Sequence, residues 1–65
     1  MMKLKDLKPG DMFTKRNISE PNEHQVWIRQ AYDRSAKKYE IMRFDDICDV
    51  QLMDGNKEIF VDFTF

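Results

Sequence analysis

Sixty-five residues with a single cysteine, Cys48, allow one small domain spanning 1–65 and no internal disulfide. Charged residues make up 35% of the chain, but their signs cancel to a net −1. With 12% aromatic residues, this excludes the aromatic-poor, highly charged composition of a disordered chain. No stretch approaches the ~20 apolar residues of a membrane-spanning helix.

Met1-Met2-Lys3-Leu4-Lys5-Asp6 has positive charge but no apolar run behind it, so a signal peptide is not expected. With a lone thiol, this points to a reducing compartment, the cytoplasm. Leu4 and Leu7, three apart, predict a single turn that plugs one end of a core. Lys8-Pro9-Gly10-Asp11 is a turn signal: proline sets φ at the second position and glycine accepts a positive φ at the third. A strand is predicted over 11–15, with Met12 and Thr14 on one face and Phe13 and Lys15 on the other. From Arg16 to His24 there is no apolar period, and Asn17, Ser19, Pro21 and Asn22 mark a long surface loop.

Gln25–Tyr32 and Tyr39–Phe44 are rich in β-branched and aromatic residues and predict a hairpin. The segment between them lacks glycine, which favours a loop built on a type I turn over a two-residue primed turn. A four-residue loop pairs Asp33 with Lys38, Tyr32 with Tyr39 and Ile28 with Arg43. It gathers Val26, Ile28, Tyr32, Tyr39 and Ile41 on one face. A five-residue loop pairs Val26 with Phe44 and Ile28 with Met42, and puts Trp27, Arg29, Tyr39, Ile41 and Arg43 together. The first gathers more apolar residues and is preferred. In both, Trp27 and Arg29 share a face opposite Val26 and Ile28.

Asp45 is read as capping a short helical turn through Ile47. Asp49–Met53 and Glu58–Phe65 are read as a second hairpin around Asp54-Gly55-Asn56, with Ile59, Val61, Phe63 and Phe65 on its buried face. Five short strands and one helical turn predict an all-β fold. A five-stranded SH3-like barrel fits the order best; an OB-like barrel or an open meander is the alternative.

Catalytic patterns are missing. His24 and Cys48 are the only histidine and cysteine, too few for a zinc site and a poor basis for a nucleophile–base pair. Asp45, Asp46 and Asp49 lack the spacing of a calcium loop, and neither glycine belongs to a phosphate-binding loop. The chain is therefore not expected to be an enzyme or to hold a metal or cofactor. Asn17-Ile18-Ser19 matches the glycosylation pattern, which carries little weight without a secretory signal.

Lys8-Pro9-Gly10-Asp11-x-Phe13, Gln25-Val26-Trp27-Ile28-Arg29, Tyr32-Asp33-Arg34-Ser35, Lys37-Lys38-Tyr39 and Lys57-Glu58-Ile59-Phe60-Val61 together resemble a group of short uncharacterised bacterial proteins. The resemblance covers most of the chain and implies a small SH3-like barrel. It implies no activity and carries over no functional residue.

Charge is segregated along the chain, with a net +3 over 29–43 and −5 over 45–65. The binding candidates are Trp27, Arg29, Arg34, Lys37, Lys38 and Arg43. Tryptophan and arginine are enriched at interface hot spots, so an exposed Trp27–Arg29 patch points to a protein partner. The basic residues suit nucleic acid, although the acidic C-terminal third counts against phosphate binding. A third reading is self-association, with the terminal strand pairing to its symmetry mate as a homodimer.

Overall fold

A computed structural model describes residues 2–64. Its elements are β1 (Met2–Lys3), β2 (Met12–Thr14), β3 (Val26–Asp33), β4 (Lys38–Arg43), β5 (Asp46–Met53) and β6 (Glu58–Ile59). Among the described residues the helical pieces are two 3-10 turns, Leu4–Asp6 and Glu23–Gln25. All pairings are antiparallel, so the fold is all-β.

The strands form two sheets. β2-β3-β4-β5 make a four-stranded sheet in that order, and β1 pairs only with β6. Thr14 and Phe60 join the sheets by exchanging both backbone hydrogen bonds, at 2.9 and 3.0 Å. Leu4 N–H donates to Lys57 O and Lys5 N–H to Gly55 O, which docks the first 3-10 turn on the loop before β6. The five strands expected from the sequence are thus six, and the sheets do not close into a continuous barrel: β5 has no strand on its outer side among the described residues.

The core lies between the sheets and is built from Leu4, Leu7, Phe13, Trp27, Ile41 and Ile59, with Met2, Tyr39, Met53 and Val61 packed around it. Leu4 and Leu7 are both buried in this core, on the single 3-10 turn and its C-cap, as their spacing predicted. The Lys8–Asp11 turn also forms as expected: Asp11 N–H donates to Lys8 O at 3.0 Å, and Gly10 has φ +95°. Gly55 answers a different need. A Cβ there would lie 2.5 Å from Cε1 of Tyr39, so only glycine lets this turn close onto the ring.

The β3–β4 hairpin contains both predicted registers. Asp33 faces Lys38 and Tyr32 faces Tyr39 across the four-residue loop, while Arg29 faces Ile41, Ile28 faces Met42 and Trp27 faces Arg43 in the five-residue register. A β-bulge reconciles them, since Gln30 and Ala31 together oppose Glu40. Asp33 Oδ1 accepts from the N–H groups of Ser35 and Ala36 at 2.9 and 3.2 Å and organises the loop.

Two expectations need correction. Asp45 caps no helical turn: Phe44 and Asp45 form the tight turn between β4 and β5, and β5 starts at Asp46. The hairpin predicted between 49–53 and 58–65 does not pair either. β5 pairs with β4 and β6 with β1. Regular strand ends at Ile59, after which Phe60 makes one bridge and residues 61–64 run irregularly; Phe65 lies outside the described residues. Both corrections share a cause. The apolar alternation of 48–53 suits any antiparallel neighbour, and the tight turn makes β4 the nearest.

Candidate interaction surface

Each strand of the four-stranded sheet alternates between a face toward the core and an outer face. Phe13, Trp27, Arg29, Ile41 and Tyr39 lie on the core side. Register pairs then carry the opposite parity across all four strands: Met12 faces Ile28, Ile28 faces Met42, and Met42 faces Val50.

The binding candidates divide between these settings. Trp27 is 4% exposed and Arg29 is 8% exposed. The exposed Trp27–Arg29 patch expected from the sequence is therefore corrected to a buried one. The bulge decides this, because it puts Trp27 and Arg29 on the face that packs against Leu4, Phe13 and Ile59. Lys15 Nζ lies 4.1 Å and Arg43 Cζ 4.8 Å from the Trp27 ring centroid, the first from the residue after β2 and the second from β4. Asp49 Oδ2 is 2.9 Å from Arg43 Nε, an ion pair without good hydrogen-bond alignment. Burial lowers the Lys15 pKa below its ordinary 10.5; Arg43 repels its charge and lowers it further, against a smaller opposing pull from Asp49. Arg29 packs its cation on the Tyr39 ring at 4.4 Å, and its buried Nε has no hydrogen-bond partner among the described residues.

Arg34, Lys37 and Lys38 are exposed at the tip of the β3–β4 hairpin. Arg43, half-buried, is five residues along β4 from Lys38, about 17 Å at strand rise. The predicted basic set is thus an exposed tip and a separate cation over Trp27. Beside the tip, Lys5, Tyr32, Lys37, Tyr39, Asp54, Gly55 and Asn56 line an open cleft of about 250 Å³.

The surface that sequence reasoning missed is the outer sheet face. Met12 is 42%, Val50 51% and Leu52 47% exposed, with Ile28 and Met42 half-buried between them. Thr14 and Val26, which share this face parity, are fully buried, and Pro21 of the 16–24 loop is buried. The loop is held by Thr64 N–H donating to Ser19 O at 2.9 Å and by His24 Nδ1, 3.0 Å from Asp45 Oδ2. The molecule measures 34 × 27 × 15 Å. The sequence did hold a signal: Val26-Trp27-Ile28 and Ile41-Met42 are apolar on both parities, more than a single core face requires.

Among the described residues, no cluster of His, Cys, Asp and Glu is arranged to hold a metal, and no helix is long and apolar enough to cross a membrane. Cys48 is a free, exposed thiol on β5. Glu58–Phe60, the part of the predicted terminal strand that pairs, is engaged with β1 and Thr14, and β5 is an edge strand of the four-stranded sheet. Comparisons with protein-family models, curated proteins and solved structures returned no match.

Proposed function

We propose that this chain is a non-catalytic protein-interaction module, an SH3-like small barrel of the cytoplasm, and that a partner docks on the outer face of β2-β3-β4-β5. What supports the reading is the row Met12, Ile28, Met42 and Val50, flanked by Leu52 and ending at an open strand edge. An apolar row that crosses all four strands differs from the scattered exposed residues of an ordinary surface. Leu52→Lys tests it. The position is half exposed, so stability should stay within about 0.5 kcal/mol of the parent, as for surface substitutions. In pull-downs from the native cell, wild type should retain a protein that the folded Leu52→Lys variant loses. Equal retention by both would overturn the reading.

A nucleic-acid reading draws support from the hairpin tip, where Tyr32 is 45% exposed beside Lys37, and Arg34 and Lys38 extend the charge. Exposed aromatics beside cations suit stacking on unpaired bases. A labelled single strand titrated at low salt should bind, and weaken on Tyr32→Ala. Absence of binding at low salt removes this alternative.

A further inference from the structure

Building on the docking reading above, we infer that the partner engages the β5 edge as an added strand: a short extended segment, apolar at its centre and basic at both ends. An edge strand turns alternate N–H and C=O groups away from its sheet, and soluble proteins usually blunt such edges with lysine, proline or a bulge. β5 is blunted at one end only. Between the pairs Met42–Val50 and Arg43–Asp46, residues Ile47, Cys48 and Asp49 have no counterparts on β4, and this bulge deforms the start of the strand. Val50–Met53 keeps regular register with β4 and contains neither lysine nor proline. Val50 and Leu52 present apolar side chains on its outer face.

The charge around this edge indicates the occupant. Residues 45–56 contain Asp45, Asp46, Asp49 and Asp54 and no lysine or arginine. Asp49 is paired to Arg43, and Asp45 to His24. Asp46 and Asp54 bracket the regular stretch, and neither has an ion pair among the described residues. Each uses only Oδ1, for the N–H of Cys48 and of Asn56 respectively. An incoming strand would thus complete the ladder along Val50–Met53, set alternate apolar side chains beside Val50 and Leu52, and bring a cation to Asp46 at one end and Asp54 at the other. Acids at both ends leave strand direction open, because either polarity meets the same charges. A second copy pairing through β5 would bring the two acidic segments together, which disfavours it.

The test uses a fluorescent peptide with a Val-Thr-Val-Thr centre and lysine at both ends, a twin ending in glutamate, and two basic versions methylated on alternate backbone nitrogens, one in each register. The basic peptide should bind about tenfold or more tightly than the acidic twin, a difference of about 1.4 kcal/mol. Methylation on the ladder side should abolish binding. The folded double variant Asp46→Asn/Asp54→Asn, which keeps both local acceptors, should lose most of the preference for the basic peptide. Equal affinity for the two charge types, or undiminished binding of both methylated registers, overturns the inference. So does concentration-dependent dimerisation in sedimentation that protects β5 amides from exchange. None of these results disturbs the docking reading if Leu52→Lys still abolishes partner capture. Loss of that effect with intact peptide selectivity overturns the reading and leaves the edge site standing.

Discussion

Trp27 shows how one residue's setting follows from its neighbours. Its ring is buried to 4% exposure under Lys15 and Arg43, so truncation removes both a large apolar surface and a platform for two cations. Trp27→Ala should cost about 3–5 kcal/mol in urea denaturation, the range for a core aromatic. A loss under about 0.5 kcal/mol would mean a surface position. The lysine beside it gives a pH signature. Its folded-state pKa is lowered, so between that value and 10.5 the unfolded chain binds more protons, and stability attributable to Lys15 rises with pH. Lys15→Met keeps a stem over the ring and removes the charge. The stability of wild type relative to this variant should therefore be flat near neutrality and climb as pH approaches 10.5. Denaturation at a series of alkaline pH values measures it, and a difference that falls with pH contradicts the burial account.

At the scale of elements, the β3–β4 hairpin is governed by its bulge and by the last residue of its loop. Lys37 holds φ +56°, which costs an L-residue about 1–2 kcal/mol, mostly from Cβ. Glycine would relieve that cost but add about 0.4–1 kcal/mol of unfolded-chain entropy. Lys37→Gly should therefore stabilise the protein by up to about 1 kcal/mol by thermal unfolding. The bulge at Gln30–Ala31 has the larger consequence. It lets Tyr32 pair with Tyr39, ring centroids 4.8 Å apart, while Trp27 and Arg29 stay in phase with Ile41 on the core face. Neither register alone allows both, so a regular strand accounts for only one half of the hairpin at either loop length.

Across the whole molecule, the core draws on the first 3-10 turn, β2, β3, β4 and β6, while β5 contributes only Met53 at its margin. Ile59 is 1% exposed and carries the two-stranded sheet's contribution to that core. Ile59→Ala should cost about 2–5 kcal/mol and lower the midpoint of one cooperative transition. A separate early transition would show that β1 and β6 fold as a unit apart. Several features were legible without the fold, because they depend on near neighbours. The glycine-dependent turn at Lys8–Asp11, the Leu4–Leu7 turn, the loop over 16–22, the all-β class and the common face of Trp27 and Arg29 follow from φ preferences and from periods of two and three residues. Long-range competition decided the rest. Strand alternation states which residues share a face, and it does not state which face meets the core or which strand lies alongside. Those choices fell to the bulge in β3, the tight turn at Phe44–Asp45 and the capture of β6 by β1. Together they buried Trp27 and left the apolar row and the acidic edge of β5 uncovered.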